Sequence, residues 1–396
     1  MNELLKCLQE IDVAAIATKL ISIPSESFRP RQEEEVAGVI AKMLRCEGIE
    51  VTMQEVAPGR PNVIGRIPGG NGRTLMLCGH IDTVPAYDME NAFAPYITDG
   101  VLHGRGACDM KGAVAAMIAA MIAVKRSGIS LGGDLVFAGV VDEEEGGIGA
   151  EYLTDHGPIC TAAIIGEPTD LQIALGHKGL EWIAVDVAGK KVHGGNQDSG
   201  INAVEMAAMF IDRICRAYRP VLNTRTHPIL GKATINVGRI EGGDQPSTVP
   251  GECRILLDRR LMVGEMRELV YGELEDICRQ LHEEDDRFSA KISDLMEGQT
   301  TKPHLPYCVE ESEPVVQSLS RSVREAGMEV VYTSFPAWTD AGTLKAYSTC
   351  IPIVCGPGAL RDAHSVRDSV AVKDLATAAQ LYATAAVDFL NGENLP

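Results

Sequence analysis

The sequence predicts an α/β protein in which a mostly parallel sheet is interrupted by a smaller α+β domain. Three observations lead to this prediction. The chain has 396 residues, which is too long for one ordinary core. Helices and strands alternate in residues 1–179 and again in residues 297–396, as in a parallel sheet covered on both faces. Residues 180–296 instead follow the order β-α-β-β-α-β of a ferredoxin-like domain.

The hydrophobic spacing of the first segment predicts helices at residues 11–22 and 31–47. Apolar runs and helical patterns then predict, in chain order, strands Glu50–Gln54, Asn62–Arg66 and Thr74–His80, helix Lys111–Arg126, strand Leu135–Val141, a helix near Ala150–Thr154 and strand Ala162–Ile165. The sequence GHKG at Gly176–Gly179 predicts a turn that ends this segment.

A different order of elements follows this turn. It comprises strand Glu181–Val187, helix Asn202–Tyr218, strands Ala233–Glu241 and Gly251–Arg259, helix Val263–His282 and strand Phe288–Leu295. After about residue 300 the α/β pattern resumes with helix Pro314–Ala326, strands near Val330 and Ile351, and helix Lys373–Leu390. We therefore expect one α/β domain with an inserted α+β domain.

Composition and charge narrow the classes of function. A formal net charge of -19 argues against nucleic acid or an anionic membrane as a partner. The eleven cysteines are scattered singly and no signal peptide is evident, so we expect a reducing cytoplasm. The longest apolar stretch, Ala113–Val124, is too short to span a bilayer.

Carboxylates and histidines follow several predicted strands at the point where each strand ends. They are His80 and Asp82 in LCGHIDTVP, Asp109 in GRGACDMKG, Glu143 and Glu144 in VVDEEEGG, Glu167 in IIGEPTD, and His364 in GPGALRDAHS. In open α/β sheets, functional residues collect beyond the carboxyl ends of the strands. Two imidazoles and three of the carboxylates suit a pair of divalent metals, which leaves an acid as general base.

Each of these motifs also has an ordinary structural interpretation. Asp109 precedes a predicted helix and would be a common N-cap, and the run around Glu143 and Glu144 would be a solvated acidic turn. Because that run follows a buried strand, one acid can bind metal while its neighbour accepts a proton from water. The i, i+2 spacing of His80 and Asp82 places both on one side, so Asp82 can orient the imidazole.

One histidine of the inserted domain also stands out. His193 lies in the glycine-rich segment KKVHGGNQDSGINA. From such a segment an imidazole can donate a hydrogen bond to the carbonyl oxygen of a bound substrate.

The segments GHxDxVP, GRGxxDMKG, DEExGG and GEPT occur in order, and the matches run from residue 78 to residue 375. Together they resemble the co-catalytic zinc amidohydrolases, a family that includes acetylornithine deacetylase, succinyl-diaminopimelate desuccinylase, aminoacylase and glutamate carboxypeptidase. The resemblance implies a zinc-peptidase-like catalytic domain and makes residues 180–296 a lid and dimerisation domain. It also implies two divalent metal ions per subunit. Zinc is the first expectation, and cobalt and manganese are possible because they suit the same ligands.

The resemblance carries roles over to individual residues. For the metals, it implies Asp109 as the bridging ligand, His80 and Glu167 at one site, and Glu144 and His364 at the other. For catalysis and substrate, it implies Glu143 as general base, Asp82 as the residue that tunes His80, His193 as a lid histidine that reaches a neighbouring subunit's active site, Arg260 in LLDRRL as a substrate carboxylate ligand, and Ser247 in STVP as a substrate contact where asparagine is frequent.

The sequence departs from the family pattern in places. Gly194-Gly195 replaces a usual hydroxyl residue in the lid, and Arg367-Asp368 follows His364 where Asn-Glu is common. The expected activity is removal of an acetyl or succinyl type group from an N-acyl amino acid, by a homodimer. A dipeptidase or carboxypeptidase of the same family is the alternative within hydrolases. A non-catalytic binding protein on this fold is the alternative outside them.

Overall fold

The computed structural model describes residues 1–298 and 302–392 and divides the chain into two compact units. The first unit contains Met1–His177 and the chain from Cys308 onward, and the inserted unit contains Lys178–Tyr307. The inserted unit extends past residue 296 because its return segment pairs with its first strand. There the backbone N–H of Leu180 donates to the carbonyl oxygen of His304 at 2.9 Å.

The helices and strands of the described residues are numbered in chain order. The strands are β1 (Glu50–Ala57), β2 (Arg60–Ile67), β3 (Leu75–His80), β4 (Tyr96–Thr98), β5 (Val101–His103), β6 (Leu135–Val140), β7 (Ala162–Ile165), β8 (Ile173–His177), β9 (Gly179–Ala188), β10 (Val192–His193), β11 (Thr226–His227), β12 (Gly231–Lys232), β13 (Thr234–Gly242), β14 (Thr248–Val249), β15 (Glu252–Leu261), β16 (Ser289–Asp294), β17 (Tyr307–Cys308), β18 (Tyr332–Phe335), β19 (Ile351–Val354) and β20 (Ser369–Ala371). The α-helices are α1 (Asn2–Gln9), α2 (Val13–Ile21), α3 (Glu34–Cys46), α4 (Lys111–Ser127), α5 (Ile148–His156), α6 (Ala203–Arg213), α7 (Arg219–Leu222), α8 (Arg267–Glu284), α9 (Pro314–Glu325), α10 (Asp340–Tyr347) and α11 (Val372–Asn391).

The main sheet of the first unit runs in the order β1-β2-β6-β3-β7-β19-β8, and β18 pairs with β8. Its centre is parallel, since β6, β3, β7 and β19 pair in one direction, whereas β1 and β2 form an antiparallel edge. The side chains of β3, β6 and β7 are buried throughout. The predicted mostly parallel sheet is therefore confirmed, and four of its strands end at the same edge.

The interior of the first unit is built around α4. Every residue of α4 from Lys111 to Val124 is buried, and the helix packs against α1, α2 and α11. Its alanines keep the helix narrow, which lets neighbouring helices approach closely. No helix within residues 1–298 and 302–392 is long and apolar enough to cross a membrane.

The inserted unit has a four-stranded antiparallel sheet in the order β13-β15-β9-β16, with α6 and α8 packed beside it. Numbered within the unit, the strands lie in the order 2-3-1-4, which is the ferredoxin-like arrangement that the sequence predicts. Helix α8 begins at Arg267 rather than at Val263, because Gly264 adopts a φ of +90° in a turn before it.

The predicted turn at Gly176–Gly179 is wrong. Strand β8 continues to His177 and β9 begins at Gly179, so strands occupy this sequence on both sides of Lys178 and no turn is formed there. Gly179 serves a close approach instead, since a Cβ there would lie 2.7 Å from the carbonyl oxygen of His304. The sequence analysis also missed helices α1 and α10, strand β8, and the small sheet β20-β5-β4.

Candidate metal centre

Three adjacent parallel strands of the first unit deliver the candidate residues to one edge. His80 is the last residue of β3, Glu143 and Glu144 follow β6, and Glu167 follows β7. The register pairs His80 with Val140 of β6 and Cys78 with Ile165 of β7, so these strand ends lie level. Parallel pairing therefore brings together side chains that are far apart in the sequence.

The carboxylate of Asp109 lies between two imidazoles. Its Oδ1 is 3.0 Å from Nε2 of His80, and its Oδ2 is 3.2 Å from Nε2 of His364. The N-cap interpretation fails, because helix α4 has Met110 at its N-cap and no side-chain cap. Each oxygen of Asp109 thus faces a different histidine, which is the arrangement that a bridging ligand requires.

Two glutamates complete the two sides of Asp109. Oε2 of Glu144 lies 2.8 Å from Nε2 of His364, and Oε1 of Glu167 lies 3.8 Å from Nε2 of His80. Ligand atoms of His80, Asp109 and Glu144 fall within 4.8 Å of one another, and so do those of His80, Glu143 and Glu167. These two groups share His80.

Asp82 connects His80 to the loop that carries the adjacent glutamates. Nδ1 of His80 lies 3.1 Å from the backbone oxygen of Asp82 and 3.5 Å from its Oδ1. The same carboxylate accepts the backbone N–H groups of Glu143, at 3.3 Å, and of Glu144, at 3.1 Å. A proton on Nδ1 of His80 leaves Nε2 as a lone-pair donor, which is the tautomer that a metal ligand needs.

The electrostatics of the centre indicate an excess of negative charge. Burial, followed by the charge of Glu167, raises the pKa of Glu143 well above its usual value, and burial does the same to the pKa of Glu167. Burial and then Asp109 raise the pKa of Glu144. Contacts with Asp109 and Glu144 raise the pKa of His364 to about 10. These carboxylates favour protons or another source of positive charge.

The donor atoms fit divalent metals. Oε1 of Glu167 is buried and makes no hydrogen bond within the described part of the chain. A buried carboxylate oxygen without a partner is costly unless a cation or proton satisfies it. Imidazole nitrogens and carboxylate oxygens are donors that zinc, cobalt and manganese accept. The residues present therefore suit a metal centre, although they do not distinguish among these ions.

Sequence analysis missed the group that joins the loops of Asp109 and His364. The buried carboxylate of Asp368 accepts the backbone N–H groups of Gly106, at 2.7 Å, and of Cys108, at 2.8 Å. It also pairs with the buried guanidinium of Arg105 at 3.0 Å. Asp368, which stands where the family commonly has glutamate, thus keeps a carboxylate at this position, and that carboxylate joins the two loops. These partners are more than 250 residues apart in the chain, so no local pattern reveals them.

A further buried acid, Asp340, was also missed because helix α10 was not predicted. A Cβ on Gly147, in the loop after β6, would lie 3.6 Å from Oδ1 of Asp340. That oxygen has no hydrogen-bond partner in residues 1–298 and 302–392, and burial raises the pKa of Asp340 to about 8. Asp340 therefore adds another buried carboxyl group, one that favours the protonated form, beside the loop that carries Glu143 and Glu144.

The remaining candidates lie in the inserted unit. His193 ends β10 and is exposed, and its Nδ1 accepts the backbone N–H of Gly195 at 3.1 Å. The backbone N–H of Gly194 donates to the carbonyl oxygen of Ser247 at 2.7 Å, so His193 and Ser247 are neighbours. Arg260 donates from Nε and Nη2 to the carboxylate of Asp258, at 2.8 and 3.0 Å.

Comparison with known proteins gives consistent results. Residues 76–388 match the model of peptidase family M20/M25/M40. Acetylornithine deacetylase of Myxococcus xanthus is 31% identical over 96% of this chain and 97% of its own length. N-formyl-4-amino-5-aminomethyl-2-methylpyrimidine deformylase of Bacillus subtilis is 28% identical, covering 92% of this chain and 91% of its own. The crystal structure of aminopeptidase PepT from Bacillus cereus superposes with a TM-score of 0.79 at 20% identity, over 96% of this chain and 98% of that one.

The family match extends over most of the chain and includes the segments with His80, Asp109, Glu143, Glu167 and His364. The resemblance noted in the sequence is thereby confirmed, as is the fold class. The chain belongs to peptidase family M20/M25/M40, a family of metal-dependent hydrolases.

Proposed function

We propose that the protein hydrolyses the amide bond of an N-acyl amino acid and releases a small acyl group. The observation that carries the proposal is the carboxylate of Asp109 between two imidazoles, with the acid pair Glu143 and Glu144 beside it. The names of two relatives support removal of a small acyl group, since one describes removal of acetyl from acetylornithine and the other removal of formyl from an aminomethylpyrimidine. Only the first of these substrates is an N-acyl amino acid. The proposal therefore covers formyl, acetyl and succinyl groups.

In the proposed centre, His80 and Glu167 would hold one divalent cation, Glu144 and His364 would hold the other, and Asp109 would contribute to both. When bound, such ions lower the pKa of water and polarise a carbonyl oxygen. Zinc is our first expectation for both.

Glu143 acts as general base in this scheme. Its carboxylate takes a proton from the attacking water and returns it to the nitrogen of the leaving amine. The second proton of that water also passes to the amine, so that one amide and one water yield a carboxylate and an ammonium group. Asp82 acts as a positioning residue, since it contacts the imidazole of His80 and the backbone of Glu143 and Glu144. Its carboxylate thus aligns a ligand and the base together.

The inserted unit supplies substrate contacts in the proposal. His193 donates to the carbonyl oxygen of substrate in a neighbouring subunit, Arg260 holds the substrate carboxylate, and Ser247 lines the same site. Because the guanidinium of Arg260 is already paired with Asp258, a substrate carboxylate has to compete with that side chain. Mixing a Glu143→Ala protein with a His193→Asn protein tests the dimer. Recovery of activity on mixing supports catalysis across subunits, and a monomeric protein in sedimentation refutes it.

Two other functions remain to be separated by experiment. A dipeptidase or carboxypeptidase would use the same residues on a peptide bond. The similarity to aminopeptidase PepT, at 20% identity, concerns the fold and does not choose between substrates. A binding protein without catalysis would bind the metals and release no amine.

The decisive test is release of free amine from N-formyl, N-acetyl and N-succinyl amino acids beside simple dipeptides. Each substrate is assayed with zinc or cobalt, with a chelator, and with a Glu143→Ala variant. Glu47→Ala serves as the control, because Glu47 pairs with Arg126 on the surface. Chelator-sensitive release from acyl amino acids, lost only in Glu143→Ala, supports the deacylase. Release from dipeptides alone supports the peptidase, and two bound metals without any turnover support the binding protein.

A further inference from the structure

The acidic loop, residues Asp142–Gly147, carries both Glu143 and Glu144 and is held at its two ends by one side chain. Asn62 of β2 is fully buried. Its Oδ1 accepts the backbone N–H of Val141 at 3.1 Å, and its Nδ2 donates to the carbonyl oxygen of Gly149 at 3.0 Å. The ends of the acidic loop are therefore fixed to the sheet.

The first residue of the acidic loop has an unusual backbone conformation. Asp142 has a φ of +71°, in the left-handed region that non-glycine residues rarely adopt. Its carbonyl oxygen accepts the backbone N–H groups of Gly146, at 3.0 Å, and Gly147, at 2.6 Å. A left-handed residue costs on the order of 1–3 kcal/mol and persists where its surroundings hold it. Contacts with the side chain of Asp142 are therefore expected to stabilise this backbone conformation.

The guanidinium of Arg60 contacts the side chain of Asp142. Its Nη2 lies 2.6 Å from Oδ1 of Asp142 and 2.6 Å from Oε1 of Glu33, and its Nε lies 2.8 Å from Oε2 of Glu33. The side chain of Glu33 is fully buried, and those of Arg60 and Asp142 are 18% and 7% exposed. Glu33 thus holds the guanidinium with two hydrogen bonds and aims it at Asp142. Such forked pairs fix geometry as well as charge.

The placement of Arg60 in the sequence supports a role in this loop. Arg60 and Asn62 are separated by one residue on β2, so both side chains leave the strand on the same side. Both contact the acidic loop or the residues that flank it. Strand β2 therefore provides both contacts. Asn62 bonds to the residues that flank the acidic loop, and Arg60 pairs with the first residue of that loop.

We propose that Arg60, oriented by Glu33, is a positioning residue for hydrolysis. It holds Asp142 in the left-handed conformation and so sets the direction in which Glu143 and Glu144 leave the sheet. The inference rests on the proposed function, in which Glu143 is the general base. A misplacement of a catalytic group by about 1 Å can lower the rate by about a hundredfold.

The primary test is Arg60→Met, assayed at saturating metal on the best substrate of the panel. We expect kcat to fall by about tenfold to a hundredfold, as for other residues that orient metal ligands, with a much smaller change in KM. Arg66→Met is the matched control. Arg66 lies on the same strand and pairs with Glu50 and Asp134, but it is 47% exposed. A kcat of Arg60→Met that stays as close to wild type as that of the control overturns the proposal.

A double-mutant cycle tests whether Arg60 acts through Asp142. Asp142→Asn keeps a side chain that tolerates the left-handed region and removes the charge. We expect Arg60→Met to lower kcat much less in the Asp142→Asn protein than in wild type. Equal losses in the two backgrounds overturn the mechanism. If Arg60→Met does not fold, Arg60→Lys and Asp142→Asn decide in its place. Arg60→Lys keeps the charge but cannot bridge Glu33 and Asp142, so an unreduced kcat in both variants overturns the proposal.

A metal titration separates this inference from the proposed function. Because Glu144 lies in the acidic loop, we expect Arg60→Met to weaken Co²⁺ binding by about tenfold or more, measured by the visible absorbance of bound cobalt. This readout needs no substrate. If wild type hydrolyses nothing in the panel, the proposed function has failed, and the titration alone judges Arg60. A Co²⁺ affinity equal to that of Arg66→Met would then overturn the inference.

Discussion

Replacement of Asp368 by asparagine tests how the loops of the metal centre are held together. The carboxylate of Asp368 is fully buried and accepts hydrogen bonds from Arg105 and from the backbone of Gly106 and Cys108. Asparagine has nearly the same shape, but it has one acceptor oxygen and places an NH₂ group among donors. Arg105, which is also buried, loses its charged partner.

The size of the effect follows from this burial. Removing one partner of a buried ion pair costs roughly 3–5 kcal/mol, because the other charge stays in the interior uncompensated. Large domains lose about 2–4 °C of Tm per kcal/mol, so we expect the first unit to melt roughly 6–20 °C lower. Asp109 lies one residue from Cys108, and His364 lies four residues before Asp368. We therefore also expect zinc affinity to fall by about tenfold to a hundredfold.

The two tryptophans make it possible to follow the first unit alone. Trp338 lies in the first unit and Trp182 in the inserted unit. In a Trp182→Phe background, urea unfolding followed by fluorescence reports on the surroundings of Trp338. This separation matters because a single free energy of unfolding is not defined when two units unfold independently.

Asp388→Asn is the matched control, since Asp388 pairs with Arg321 at the surface, where both side chains are at least one third exposed. Exposed ion pairs contribute about 1 kcal/mol or less. A loss of stability in Asp368→Asn no larger than in this control would refute the reasoning. It would mean that the backbone carbonyl oxygens that Arg105 also contacts, or water, compensate its charge.

Three further predictions concern other parts of the molecule. Glu143→Gln should lower kcat by about 10²–10⁴-fold, because glutamine keeps the shape of the side chain but cannot accept the proton. Amine release measures kcat, and metal analysis should show an unchanged metal content. An unchanged kcat would exclude Glu143 as the base. Gly356→Ala should lower the Tm of the first unit, because a Cβ there would overlap the backbone oxygen of Gly166; an unchanged Tm would mean that this backbone moves freely. At pH 8 a thiol reagent should label Cys46 and Cys215 rapidly and the buried cysteines slowly, since burial hinders access and raises the pKa of thiols such as Cys160 and Cys355. Rapid labelling of a buried cysteine, located by peptide mapping in a variant with serine at positions 46 and 215, would contradict this.

The sequence alone determined the fold class and predicted the residues of the candidate metal centre. Alternating helices and strands depend on local hydrophobic periodicity, which the chain carries without reference to its tertiary structure. Several candidate ligands were recognisable because His80, Glu144 and Glu167 end or follow apolar strands, and parallel strands end at one edge of a sheet. The segments GHxDxVP, GRGxxDMKG, DEExGG and GEPT together were sufficient to recognise the family, because their order and spacing are specific jointly although each alone is modest.

Tertiary structure decided the features that depend on residues distant in the chain. Asp368 contacts a loop more than 250 residues before it, and Arg60 bridges Glu33 and Asp142 across three separate elements. The sequence around Gly179 suggested a turn, but this glycine instead allows the backbone of His304 to lie close to its own backbone. Local patterns record which side chains are available, whereas burial and long-range contacts decide which of them meet. The buried contacts of Arg60 and Asp368 beside the candidate metal centre therefore became visible only in the folded chain.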